Sequence, residues 1–257
     1  WRSVYTPDVL AVGEGPTAWT DFFTQQLRWS RGTYETILKQ FWKAPFTLPF
    51  GKLLNYTLMV VYYPMTALNW LLAALSCTLF LVLGASGVQI SSQVWLMLYS
   101  DAAALQIGLY VWNRRHNVSP HEPEGSGGLA GMMMSALSAP IYARSLFDAM
   151  LRRKSSFVVT PKGNSASPDR LATFRIHLVW AAVFGGALVF SLFLGHSHAA
   201  MRTWAALALA LCLAPCAIWS AGLLRQRRSK AMTPAVPAAR AEVSLASTAE
   251  KESLCAL

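Results

Sequence analysis

Apolar residues gather in four long stretches. Leu53–Leu83 holds no charge over 31 positions, and Val94–Trp112, 19 residues long, holds one, Asp101. Phe174–Leu194 and Thr203–Leu224 are the third and fourth. A helix crosses the hydrocarbon core of a bilayer in about 20 residues. Each stretch therefore suffices as a span, and the first is longer than needed. Its opening turns, up to Pro64, are expected to tilt or to lie at the interface. Residues 1–52 mix charge, Pro and Gly and read as water-facing. Within them Asp21–Phe41 has helical periodicity, with apolar residues at Phe23, Leu27, Tyr34, Ile37, Leu38 and Phe41. Thr20 is placed to cap that helix, and Asp21 falls in its first turn.

Residues 129–150 are apolar and nearly long enough to span. Arg114 and Arg115 precede them, and Arg152, Arg153 and Lys154 follow, so a crossing would leave one basic cluster outside. Ile141, Leu146, Phe147, Met150 and Leu151 form an apolar stripe, while Arg144, Ser145, Asp148 and Arg152 fall on the other face. That pattern predicts an interfacial amphipathic helix over 129–153; a fifth span is the alternative. A polar loop over 154–170 follows, with a short extended centre at Phe157–Thr160, because the residue before Pro161 is pushed toward extended geometry. The tail, 225–257, is Ala-, Pro- and Ser-rich and expected to be disordered.

Composition sharpens this picture. Hydrophobic residues make up 54% of the chain and charged residues only 13%, and mean hydropathy is +0.36. An ordinary soluble domain carries about 25% charged residues, so a disordered or plain soluble chain is excluded. The net charge of +10 reads as a topology signal, not a nucleic-acid footprint. Between the two spans of each pair, residues 84–93 and 195–202 hold one basic residue, Arg202; the other 21 lie in the remaining connections and ends. Lys and Arg concentrate on the cytoplasmic side. Both termini are therefore expected in the cytoplasm, with two hairpins crossing the plasma membrane. Four Cys do not make a disulfide framework. Cys77, Cys212 and Cys216 read as small packing residues. The chain opens on Trp1 with no signal-peptide pattern, and it is expected to be a piece of a longer protein.

Two strings carry chemistry. In Gln25-Gln26-Leu27-Arg28-Trp29, the residues Gln25, Arg28 and Trp29 share a helix face at i, i+3 and i+4. A guanidinium there can hold a diphosphate through two parallel hydrogen bonds. The indole offers a flat surface to a sugar ring, and the amide adds a donor and an acceptor. The plainer alternative is an amphipathic helix with a core Trp and a solvated Arg. The second string, Phe157-Val158-Val159-Thr160-Pro161-Lys162, lies on the same predicted side of the bilayer.

Q-x-x-R-W, followed by Ser30-Arg31-Gly32 and then by spans, resembles the signature of processive, membrane-integrated family 2 glycosyltransferases. These include bacterial cellulose, hyaluronan and chitin synthases. The lead-in Trp1–Tyr5, Pro7 and Glu14-Gly15-Pro16 is similar to the end of that family's catalytic domain. The second string resembles the F-x-V-T-x-K motif of the cellulose synthase gating loop. The likeness covers roughly residues 1–224. It implies a mainly α, polytopic membrane protein. Residues 1–52 would be the C-terminal remnant of a cytoplasmic α/β glycosyltransferase domain, followed by hairpins at 53–112 and 174–224. It implies that Gln25 and Arg28 bind the nucleotide-sugar diphosphate and that Trp29 holds the acceptor sugar. Phe157, Val159 and Thr160 would close over the nucleotide, with Lys162 as a phosphate counter-charge. The implied partners are a nucleotide sugar such as UDP-glucose, a growing β-linked polysaccharide, the bilayer and accessory secretion subunits, with no nucleic acid.

The family's aspartate motifs for UDP and its Mg or Mn ion, and its T-E-D-like general base, lie upstream of the segment matching Trp1. Asp8, Glu14 and Asp21 do not match them. No catalytic base and no metal ligand are therefore expected in this chain, and alone it is expected to be inactive. Asp101, with Gln106, is a candidate lining of a glycan channel, or a carboxylate snorkelling to the interface or protonated in a helix contact. Trp70, deep in its span, is a further channel candidate. His196 and His198 read as a solvated outer loop. A four-span transporter or scaffold without catalysis is the competing class; it leaves the two strings unexplained.

Overall fold

The computed structural model describes residues 15–85, 91–116, 128–153, 161 and 167–232, and every element in them is helical. In chain order these are α1 (Trp19–Lys39), α2 (Ala44–Thr47), α3 (Phe50–Leu81), α4 (Ser92–His116), α5 (Leu129–Leu137), α6 (Ala139–Met150), α7 (Arg175–Phe193) and α8 (Ala199–Met232). Short 3-10 turns lead into α2 at Phe41–Lys43 and into α7 at Leu171–Phe174. The chain divides into two compact units, Trp1–Cys216 and Ala217–Leu257; the described part of the second is the end of α8.

Three helical stretches among the described residues are long and apolar enough to cross a membrane: Phe50–Leu81, Leu171–Phe193 and Ala199–Arg228. They coincide with the first, third and fourth expected spans. The second expected span falls on α4, which is helical through the whole range. Less than a third of each crossing window is buried within the chain (17%, 28% and 17%). Side chains such as Leu72, Leu75, Val179 and Phe190 therefore stay exposed, the arrangement of helices that meet lipid. By length and composition these helices suit a membrane protein. At about 1.5 Å per residue α3 is roughly 48 Å long, well over the ~30 Å of hydrocarbon. Pro64 interrupts its hydrogen-bond ladder three residues before the buried stripe begins at Ala67.

Packing follows a repeat of small residues. α3 buries Ala67, Trp70, Ala74, Cys77 and Leu81, alternately three and four apart. α7 answers with His177, Ala181, Phe184, Ala187 and Ser191, and the first half of α8 with Met201, Ala205, Ala208 and Cys212. Without a hydrophobic drive between helices in lipid, small side chains let backbones approach closely. Trp70 fills the remaining space by standing edge-on to Trp180 and Phe184, at 6.0 and 5.4 Å.

The interfacial segment departs from expectation in one respect. Residues 129–150 form two helices, because the first ends at Ser138 and Pro140 starts the second within its opening turn. α8 also continues through 225–232, past the expected start of the disordered tail; Arg225-Gln226-Arg227-Arg228 are good helix formers extending an existing helix. No strand occurs among the described residues, so no part of an α/β domain is seen in 15–52.

At the far end of α3, Gly84 adopts φ +62°, and a Cβ there would sit 2.8 Å from Nε2 of His196. Gly84→Ala is expected to lower stability by about 1–2 kcal/mol from backbone strain alone, plus the clash. Thermal unfolding in detergent checks it, and the cost should be smaller in a His196→Ala background.

Candidate functional site

α1 presents two unlike faces. Phe23, Gln26, Ser30 and Tyr34 are buried, chiefly against α6 and α3. With about 3.6 residues per turn, Gln25, Arg28 and Trp29 lie away from that side. Trp29 is 48% exposed, and Gln25 and Arg28 are half-buried. Arg28 and Trp29 line a cleft of about 430 Å³, together with Gly32, Thr33 and Thr36 of α1 and Val60 and Tyr63 of α3. Pro64 has no N–H, so the carbonyl of Val60 lacks its usual helical donor. The face therefore combines a cation, an indole, hydroxyls and backbone acceptors beside the first membrane helix. Gln25 is not among the lining residues of this cleft.

The buried face is polar as well as apolar. The Tyr142 hydroxyl donates to Oε1 of Gln26 at 2.7 Å. The Tyr34 hydroxyl lies 3.0 Å from the Tyr63 carbonyl and 3.1 Å from that of Tyr142. Burial pushes both phenols well above the ordinary tyrosine range, with neighbouring Tyr63 and Tyr62 adding to it. They stay neutral donors at any physiological pH, and they fix α1, α3 and α6 in one register. Ser30 and Ser145 are fully buried small residues that let α1 and α6 approach closely.

The segment between α6 and α7 is tied to α1 at both stems. Before it, Nη2 of Arg31 donates to the Arg153 carbonyl at 2.6 Å. After it, the Ser167 N–H donates to Oδ2 of Asp21 at 2.8 Å. The Asp169 carboxylate accepts from the Trp19 N–H at 3.1 Å, the Thr20 N–H at 2.8 Å and the Thr20 hydroxyl at 2.9 Å. The first amide groups of a helix have no intrahelical partner. Here a residue about 150 positions downstream satisfies them, and the carboxylate also complements the positive end of the helix dipole. Thr20 is thus not the cap: α1 starts at Trp19, and the Thr20 side chain joins Asp169 and Thr173 instead. Phe157, Val159, Thr160 and Lys162 themselves lie outside the described residues.

The other candidates sit elsewhere. Trp70 is 7% exposed in the packing of α3 against α7, and its Nε1 has no partner within the described structure. Asp101 is exposed on α4. His196 and His198 pack rather than stand free: Nδ1 of His196 lies 3.3 Å from the Leu81 carbonyl, and the His198 ring meets Phe80 at 4.9 Å. Among the described residues no group of three or more His, Cys, Asp or Glu is placed to hold a metal. Asp21 and Asp169 are committed to N–H donors, and Glu35 to Arg31 and Lys39, so these residues do not fit a divalent ion. Sequence reasoning missed Asp169 and the Arg31 clamp. Asp169 follows Ser167-Pro168 with nothing nearby to mark a distant helix end, whereas Arg31 had been noted within Ser30-Arg31-Gly32 without a role.

Hydrogen bonds from Arg31 and Lys39 hold the Glu35 carboxyl below its ordinary value of 4.5. Its stabilising contribution is therefore complete above that value and is lost as pH falls through the lowered folded one. The melting-temperature gap between the parent and Glu35→Gln, measured in detergent from pH 7 downward, is expected to close in acid. Asp169→Ala removes the carboxylate at the start of α1 and is expected to cost about 1–2 kcal/mol, with faster amide exchange at Trp19 and Thr20. No family model, curated protein or solved structure matches the chain.

Proposed function

We propose that this chain is the membrane-embedded part of a processive family 2 glycosyltransferase. In that reading it elongates a β-linked polysaccharide from a nucleotide sugar, UDP-glucose or similar, and passes the product across the membrane. The observation that carries the reading is the double tether: both stems of the segment holding the F-x-V-T-x-K string bond to the helix holding Q-x-x-R-W. The two strings are more than 120 residues apart in sequence. The anchor points on α1, Asp21 and Arg31, lie roughly 15 Å apart at about 1.5 Å per residue. Arg28 and Trp29 fall between those two anchors along α1.

The chemistry assigned to each residue follows. Arg28 neutralises the diphosphate as the glycosidic bond to it breaks, and a bidentate guanidinium suits that group. Trp29 stacks on the acceptor sugar at the cleft mouth, beside α3. Gln25, on the same helix side, hydrogen-bonds the donor. Phe157, Val159 and Thr160 close over the nucleotide and exclude water, and Lys162 faces its phosphates. The displacement inverts at the anomeric carbon. No residue described here is assigned as the general base or as a ligand to the family's Mg or Mn ion. Accessory secretion subunits would meet the product on the far side.

The test is UDP titration against the longer protein that contains this chain. Arg28→Ala and Thr160→Ala are each expected to weaken UDP binding about tenfold or more, as when a hydrogen bond to a charged group worth roughly 1.5–3 kcal/mol is lost, and to lower polymer yield. Unchanged affinity and yield in both variants would remove the basis for the proposal. The 257-residue chain by itself is expected to make no polymer from UDP-sugars in a radiolabel incorporation assay.

A further inference from the structure

A second cleft lies along another face of α1, toward its C-terminal end. It has a volume of about 920 Å³ and is bounded by Arg31, Glu35, Leu38 and Lys39 of α1 and by Ala149, Met150, Arg152 and Arg153 at the end of α6. Four cations and one carboxylate therefore face one space. Glu35 is already neutralised, 2.8 Å from Arg31 and 3.1 Å from Lys39. Asp148, just outside, is shared by Arg144 at 2.7 Å and Arg153 at 3.0 Å. Arg152 has no ion pair among the described residues, and it sits at φ +49°, a left-handed conformation that costs a non-glycine residue strain. That left-handed residue closes α6, with the Arg153 N–H returning to the Asp148 carbonyl at 3.0 Å.

The cleft is also amphipathic. Leu38 and Met150 line it and are 56% and 64% exposed, and Phe147 and Leu151 beside them are exposed too. Beyond Lys39 the chain runs through exposed Trp42, Phe46 and Phe50 into the first membrane helix, with Lys43 5.3 Å over the Trp42 ring. Cations and exposed apolar side chains lining one space match one class of ligand: a phosphate headgroup carrying acyl chains. Basic residues near a membrane surface attract anionic lipid, and a pocket between helix ends adds selectivity to that attraction.

We propose that this cleft is a binding site for the headgroup of an anionic phospholipid, with Arg31, Lys39, Arg152 and Arg153 around the phosphate and Leu38 and Met150 against the chains. The site is separate from the Arg28–Trp29 cleft and does not depend on the glycosyl-transfer reading. Because Arg31 also holds the Arg153 carbonyl, a lipid seated here braces the stem that leads out of α6.

The full chain, purified in neutral detergent, is examined by native mass spectrometry with phosphatidylglycerol and, separately, phosphatidylcholine. Phosphatidylglycerol is expected to be retained over phosphatidylcholine. Lys39→Gln with Arg152→Gln, two exposed positions whose change leaves the Arg31 clamp intact, is expected to weaken retention roughly thirtyfold. Arg28→Ala is expected to leave retention unchanged. Equal retention of the two lipids, or phosphatidylglycerol retention unaltered by the double substitution, overturns the proposal. So does inorganic pyrophosphate binding more tightly than phosphatidylglycerol and losing affinity in the same double variant, which assigns the cleft to a soluble anion.

Discussion

The carboxylate of Asp169 on the first turn of α1 is the contact on which the architecture around α1 turns. Three donors converge on its two oxygens, and Asp21 returns the bond to the Ser167 backbone. The exchange fixes where the chain re-enters the 3-10 turn before α7, and hence where α7 starts beside α1. Phe23 then lies 4.8 Å from the His177 ring and 6.2 Å from Phe174, so the helix end is sealed by rings as well as by charge. A helix dipole and a carboxylate attract weakly in water. Part-buried beside aromatic rings, with both oxygens accepting from an N–H or O–H, the same interaction holds a joint.

That joint allows the rest of α1 to be sparing with apolar contact. Its buried side includes Gln26, Ser30 and Arg31, costly groups unless satisfied. Each one is satisfied: Gln26 by Tyr142, Ser30 by backbone carbonyls one turn back, Arg31 by Glu35 and the Arg153 carbonyl. The result is a helix located by directional bonds at three heights, with its opposite side left uncovered for Gln25, Arg28 and Trp29. In lipid-facing α3 and α7 the logic reverses. Position there depends on alanines and interlocked rings, and polar side chains on the packing faces are few.

How much of this the residues disclosed depended on the range of the interaction. Hydropathy runs named four stretches, since span length is a local property of the chain; three of them are long and apolar enough to cross a membrane, and the second, on α4, is not among these. The i, i+3, i+4 spacing placed Arg28 and Trp29 on one face, and both do line one cleft. The break at Ser138–Pro140 was written in the sequence too, but an apolar stripe masked it. Asp169 was out of reach, because capping is normally sought within three residues of a helix start and this cap arrives from about 150 residues away. Trp70 shows the converse limit. Depth within a span identified it as unusual, yet the same depth serves equally for packing, and its partners Trp180 and Phe184 lie on another helix.

The two clefts of α1 differ in what holds them, and that difference bears on how each would respond to a ligand. The Arg28–Trp29 cleft has α3 as its far wall, a long helix held by Tyr34 and by the alanine stripe, with an exposed indole on the α1 side. The basic cleft has the end of α6 as its far wall, where Arg152 is strained and Arg153 is held through its carbonyl by one guanidinium. An anion seated there meets the guanidinium that also holds the Arg153 carbonyl, so it braces the end of α6, whereas Ser167 is held independently by Asp21.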